Sequence, residues 1–477
     1  MTEPDESKKK VPLTQALAYG CGNMSSGLAG NGINFLAPSV FNIALGLNPV
    51  LVGIAQAVPR FVDLITDPLA GYMSDSLRSR FSRRWFIGLG AIATGLGCTC
   101  IWLFPRGLSH THLFLWLLGF YILTYMAYSF LDVPWKALGF EITDDHHGRT
   151  YLTAISNFMA TVMAISIGYE VAATQLPWFK DTVEGARWVG GALGLSILVF
   201  GVVPALFCRE KTAAPPPQVS QAESKISGFA RFFMAAKRVM KSRSFLFLGV
   251  SVALISLGIG ATLTINQYVM IFHIKGGDVK QGGKLFGFAM MLWQVSGLVF
   301  SWPIMWVSRR VDKKNALLIF LGLALVGNLL KWVCYNPAFP LLAVIPGICY
   351  ATGTTALWII APSMLADICD WEEYGSGVRD GGMFAAMYSW MLKVGSSIAF
   401  VIGGLLLNFT GYDAAKGPSQ TAEAIRGMRL TDMGLCAGSL VAAIILVARF
   451  PLTKGKMQVV RENLDRLKTS PAPVAGS

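Results

Sequence analysis

The sequence predicts an all-α membrane protein with twelve transmembrane helices in two six-helix bundles, and three observations carry that expectation. Of 477 residues, 53% are hydrophobic and 14% charged, with a mean hydropathy of +0.52, a mixture foreign to soluble domains. Uncharged runs reach membrane-crossing length: 85–104 and 189–208 hold 20 residues each, 285–307 holds 23 and 338–366 holds 29. At about 1.5 Å per residue, each crosses a hydrocarbon core of about 30 Å. A polar, basic stretch at 209–243, carrying Pro215, Pro216 and Pro217, then divides six apolar runs from six. It is too charged to insert and reads as a linker with room for an interfacial helix. A secreted disulfide scaffold, a disordered chain and a cytosolic enzyme are excluded.

Breaking the apolar runs at charges and Pro/Gly clusters gives the elements in order. An amino-terminal tail (1–13) precedes a first bundle (14–208) with spans at 14–43, 49–73, 85–104, 111–139, 151–173 and 189–208. The first apolar stretch outlasts a signal-peptide core, so it is read as retained. After the linker, a second bundle (244–448) has spans at 244–274, 285–307, 315–335, 338–366, 381–409 and a short 433–448, followed by a tail at 449–477. The eight cysteines lie in or beside these runs, with no CxxC pair, and read as small packing residues.

A net charge of +13 suggests nucleic acid only where the bases gather on a polar surface with interleaved aromatics. Here they fall between apolar runs. If the spans alternate, Lys8 to Lys10, Arg78, Arg80, Arg83, Arg84, the linker, Arg309, Arg310, Lys313, Lys314 and the tail from Arg449 share one side, about two-thirds of all Lys and Arg. That side is expected to be cytoplasmic, with both termini on it. Two six-span halves around a cytoplasmic linker form a transporter plan with the site near mid-membrane between the halves.

Charges inside spans carry the chemistry. VPRFVDLITDPLAGYMSD puts Arg60, Asp63 and Asp67 at offsets of three and four, on one face of the second helix. A carboxylate at a helix centre costs about 2.5–3.5 kcal/mol on insertion scales, so two on one face call for a function. Arg60 can brace the bundle interface through one aspartate, but one arginine does not neutralise two. The surplus is assigned to a titratable proton or a bound alkali ion. YSFLDVPWKALGFE adds Ser129 and Asp132 about a turn apart, hard oxygen ligands suited to a small hard cation. Lys393, deep in GGMFAAMYSWMLKVGSS, needs a carboxylate partner or a water-filled cavity. A charge lock to Asp63, Asp67 or Asp132 is one reading. Tyr128 and Trp358 are aromatic candidates for stacking on sugar C–H faces, although most Trp and Tyr in such a chain pack or mark interfaces. No GxxxxGK[ST] motif occurs, and no Ser/His/Asp or metal-ligand spacing falls within a span, so neither an ATP-driven pump nor an enzyme is expected.

With these residues in view, the chain resembles the glycoside-pentoside-hexuronide:cation symporters of the major facilitator superfamily, typified by the melibiose permease, along nearly its whole length. The segments that carry the likeness are RFVDLITDPLAGYMSDSLRSRFSRR, YSFLDVPWKALGFEITDDHHGR, and LADICDWEEYGSGVRDGG leading into WMLKVGSS. The resemblance implies the major facilitator fold and a cation site from Asp63, Asp67, Ser129 and Asp132. It also implies that Tyr128, Asp132 and Trp358 approach the solute and that Lys393 joins the charge network between halves. Asp75 with the bases from Arg78 to Arg84, and Asp370 with Arg379, resemble the superfamily's gate-bracing elements.

Three departures from the type member bear on the solute. The first helix, CGNMSSGLAGNGINF, holds no acid; Asn157 stands where a sugar-binding arginine is expected, and Lys136 where a tryptophan is. Lys136 has three readings: an i, i+4 partner of Asp132 partly replacing the cation, a cavity base that attracts an anionic solute such as a uronate, or a side chain snorkelling to the interface. The expected activity is cation-coupled symport of a sugar, glycoside or uronate by alternating access, with Na⁺, H⁺ or Li⁺ as coupling ion, no resident cofactor, and a monomer as the working unit. The alternative is a carrier of lysolipid or another amphiphile in the same fold.

Overall fold

The computed structural model describes residues 11–78, 80–143, 146–209, 228–376 and 381–469. Among them every regular element is helical. The first span is composite: α1 (Leu13–Gly27), a π-helical turn at Leu28–Gly32, α2 (Ile33–Ala37) and a second π segment at Pro38–Ala44. In the sequence these pieces form the single apolar span 14–43. The wider turns fall on LAGNG and PSVFNIA, and such bulges concentrate at functional sites.

Next come α3 (Pro49–Ser76), α4 (Arg83–Trp102), α5 (His110–Ile142), α6 (His146–Gly168), the single turn α7 (Glu170–Ala173) and α8 (Thr182–Phe207). The start of α3 follows from its residues: the Asn48 side chain accepts from the Val50 amide, and Pro49 occupies a position whose missing N–H costs nothing. Residues 228–241 of the expected linker form α9 (Gly228–Lys241), which packs against the second half. That half comprises α10 (Arg243–Tyr268) with a π-helical end at Val269–Ile274, α11 (Val279–Arg310), α12 (Lys313–Cys334), α13 (Val344–Ser376), α14 (Gly381–Phe409) and α15 (Ala422–Ala448). The expected tail contains α16 (Lys454–Thr469), which docks on α13. Among the described residues, eleven helices are long and apolar enough to cross a membrane, and the composite first span lies beside them.

The last span starts at Ala422, well before position 433, where the charges of AEAIRGMRLTD give way to an uncharged run in the sequence. Within the bundle Asp432 is buried against Lys331, so the charge does not end the helix. In the first half α4 packs on α5 and α8, α1 on α6 and α8, and α3 on α5. In the second, α10 packs on α14 and α15, α12 on α13 and α15, and α11 on α13. Leu89, Leu96, Leu195 and Leu206 remain exposed on helix surfaces, an arrangement that acyl chains accept.

The halves meet along two seams, α3 on α14 and α6 on α11. On the first, the glycines permit close approach: a Cβ at Gly53 would run into the Phe400 carbonyl, and one at Gly404 into the Pro49 carbonyl. At the same end, away from the chain termini, the Tyr268 hydroxyl donates to Asn42 Oδ1 (2.8 Å), Asn408 Nδ2 to Asn48 Oδ1 (3.0 Å), and Gln267 to Ser39.

Candidate substrate and ion site

Asp63 and Asp67 lie near the middle of α3, facing α5 and α14. Asp63 is fully buried, while Asp67 keeps 29% of its side chain exposed. Lys393 of α14 reaches across the seam to both, with Nζ 2.5 Å from Asp67 Oδ2 and 3.3 Å from Asp63 Oδ2. On α5, Ser129 donates to Asp67 Oδ1 (2.6 Å), and Thr66 Oγ1 lies 2.9 Å from the same hydroxyl. One helical turn on, Asp132 accepts from Ser26 of α1 at Oδ1 (2.7 Å) and from Lys136 at Oδ2 (2.6 Å). Ser26 also lies 2.9 Å from the Tyr128 hydroxyl. Side chains of α1, α3, α5 and α14 therefore form one polar cluster crossing from one bundle to the other.

Arg60 does not pair with the aspartates. Its Nη2 donates to the Gly30 carbonyl (2.6 Å), and its guanidinium lies 4.8 Å from the centre of the Tyr125 ring. Gly30 sits in the first π turn, and its carbonyl also accepts from Asn34 (2.9 Å) and the Tyr125 hydroxyl (3.3 Å). The bulge thus makes an acceptor that holds the arginine next to the acids.

The charge balance differs from the one expected from α3 alone. Asp63, Asp67 and Asp132 are three negative groups; Arg60, Lys136 and Lys393 are three positive ones. The surplus negative charge inferred from the sequence is taken up by the chain's own lysines. Of the three readings of Lys136, the geometry favours the i, i+4 partner of Asp132, its ammonium paired with a buried carboxylate although the side chain as a whole is exposed.

The other candidates lie apart. Asn157 of α6 accepts from Asn23 Nδ2 of α1 (3.2 Å). Trp358 is exposed on α13, on a face shared with Pro362 and Ala366. Toward the termini, Asp75 pairs with Arg83, not Arg84, while Glu141 of α5 receives Arg78 (2.8 Å) and Arg83 (3.2 Å). Arg84 instead donates to the carbonyls of Ala205 (2.5 Å) and Leu206 (2.6 Å), tying α4 to the end of α8. Asp370 lies 3.5 Å from Arg461 of α16, whose other nitrogen reaches Asp367 (2.6 Å); Lys313 also pairs with Asp367 (2.7 Å). Arg379 lies outside the described residues. Sequence reasoning missed Ser26, because nothing distinguishes it from neighbouring serines before the π turn, and also Glu141, Asp367 and Arg461, which act only through tertiary pairing.

Two helical bundles joined at a polar, ion-paired seam define a membrane transporter of the major facilitator type. The chain belongs to the MFS/sugar transport protein family, which it matches over residues 18–454, within the melibiose permease-like symporter branch. It is 24% identical to a putative glycoside/cation symporter of Escherichia coli (strain K12), over 95% of each chain. It is 23% identical to the isoprimeverose transporter of Lactiplantibacillus pentosus, over 89% of this chain and 85% of that one. The sodium-dependent lysophosphatidylcholine symporter 1 of Mus musculus is 22% identical over 97% and 90%. Among solved structures, a bacterial homologue of the human lysosomal transporter Spinster, inward-facing and unoccupied, superposes with a TM-score of 0.64 at 14% identity, covering 96% of this chain and 98% of that one. This last likeness concerns the fold alone.

Proposed function

We propose that this protein is a secondary active transporter that carries a sugar, glycoside or uronate by cation symport, working by alternating access as a monomer in a bacterial cytoplasmic membrane. The distribution of Lys and Arg supports cytoplasmic termini. The observation that carries the reading is the pair from Lys393 to Asp67 and Asp63. It joins the moving halves through charges that hydrocarbon penalises, so its making and breaking can follow the state of the site between them. Tyr128 and Asp132, with Ser26 beside them, offer hydroxyl and carboxylate partners to a polyhydroxylated solute, and Asn157, Trp358 and Lys136 are the further candidates for contacting it. Asp63, Asp67, Ser129 and Asp132 are the groups on which the coupling ion acts. Arg60, Asp75, Arg84, Asp370 and Arg379 brace the helices that move.

The names of the bacterial relatives support a sugar-type solute. The amphiphile reading rests on the mouse relative, and the charged centre of the molecule favours a small polar cargo. Purified protein in vesicles, tested against hexoses, disaccharide glycosides and hexuronates, is expected to accumulate one class uphill. Asp67→Cys should abolish accumulation while retaining exchange. Undiminished uphill uptake by that variant would reject the α3 acids as the coupling centre.

A further inference from the structure

We infer that Lys136 is a tethered cation: its ammonium takes the place of an alkali ion at Asp132, so that sodium and lithium neither bind this cluster nor drive transport. The inference rests on the symport reading above and narrows the ion to which it applies.

Three features of the cluster support it. The first is charge. Arg60, Lys136 and Lys393 already balance Asp63, Asp67 and Asp132, so no surplus negative charge is left to draw an alkali ion out of water. The second is occupancy of the oxygens. Asp132 accepts from Ser26 at one oxygen and Lys136 at the other; Asp67 accepts from Ser129 at one and Lys393 at the other. A hard cation needs several oxygens turned toward one point, whereas these are directed to separate donors. Among the described residues, no group of three or more Asp, Glu, His or Cys side chains is gathered to hold a metal ion.

The third is tethering. Asp132 lies one turn before Lys136 on α5, with the acid on the amino-terminal side, the favourable order for an i, i+4 pair. The Lys136 side chain is 61% exposed as a whole, while its nitrogen meets a carboxylate with only 9% of its side chain exposed. A free ion must be drawn from solution and dehydrated, whereas the ammonium is held beside its carboxylate by the backbone. Lys393 cannot replace Lys136 in this role, because it is committed across the seam to Asp63 and Asp67. Of the ions considered from the sequence, the proton remains to couple transport: it bonds to a single carboxylate oxygen and needs no ring of ligands, and Asp63 Oδ1 makes no hydrogen bond.

The test is binding of radioactive sodium to the purified full-length protein, with no solute present. Wild type should show no saturable binding, Lys136→Met should bind sodium stoichiometrically, Lys136→Arg should again show none, and Lys136→Met with Asp132→Asn should lose the binding gained. Melting curves and size-exclusion profiles identify variants that fold. Saturable sodium binding by wild type overturns the inference, as does a folded Lys136→Met protein that binds none. Solute flux is measured separately in sodium-free vesicles: a protein that carries no solute under any gradient refutes the transport reading and leaves the binding result standing.

Discussion

Lys393 of α14 lies 2.5 Å from Asp67 of α3, an ion pair formed between residues 326 positions apart and from opposite bundles. Both groups are only partly exposed, so the pair contributes to the closeness of the halves as well as to the charge of the site. Lys393→Met is expected to lower uphill uptake by roughly tenfold or more, a coupling energy within the usual range for linked sites. The reversed pair, Asp67→Lys with Lys393→Asp, should recover part of the thermal stability but not the uptake, since Ser129 no longer meets a carboxylate at position 67. Melting temperature and vesicle uptake, measured side by side, check both statements.

Within the second bundle, Lys331 of α12 pairs with Asp432 of α15 at 3.0 Å, with 3% and 1% of their side chains exposed. Removing one partner of such a pair strands a buried charge. Asp432→Asn should therefore destabilise the protein by about 3–5 kcal/mol. Lys331→Met with Asp432→Leu should restore most of that loss and retain solute uptake, because this pair lies outside the cross-bundle cluster. Denaturation in detergent measures the stability and vesicle flux the activity. Loss of uptake in a stable double variant would assign the pair a part in transport.

Glu170, in the turn α7 within the span read from the sequence at 151–173, is a buried acid with no ion-pair partner among the described residues, and its Oε2 makes no hydrogen bond. A carboxyl group buried without partners is costly to the folded state. Glu170→Gln, which keeps the shape and removes the acid, should therefore raise the melting temperature at neutral pH. Melting curves of wild type and variant are the measurement; a lower melting temperature for the variant would show that the carboxyl group is held by the fold.

The spans were legible because hydrocarbon demands long uncharged runs: 381–409 coincides with α14, and 49–73 lies within α3. The acids of α3 were legible for the same reason in reverse, as charges that the bilayer penalises. What the sequence did not reveal depends on partners distant in the chain. Asp432 looked like the end of a span until Lys331, 101 residues earlier, was seen to meet it. Arg60 looked like a partner for Asp63 or Asp67, but a carbonyl presented by a π turn holds it instead, and no periodicity marks such a turn. For Lys136 the spacing allowed the pair with Asp132 and left other readings open, because i, i+4 geometry permits a contact without fixing where the helix faces.

The glycines of the α3–α14 seam carry a consequence for mutational tolerance. Gly53 is seated against the carbonyl of Phe400, and Gly404 against that of Pro49, so each helix presses its bare backbone into the other at neighbouring points. In a saturation library, both positions should reject even alanine. Lipid-facing sites such as Leu89 or Leu96, in contrast, should accept almost any apolar replacement. Codons 53 and 404 would then stand out as paired silent columns, an imprint of helix contact obtained by sequencing survivors.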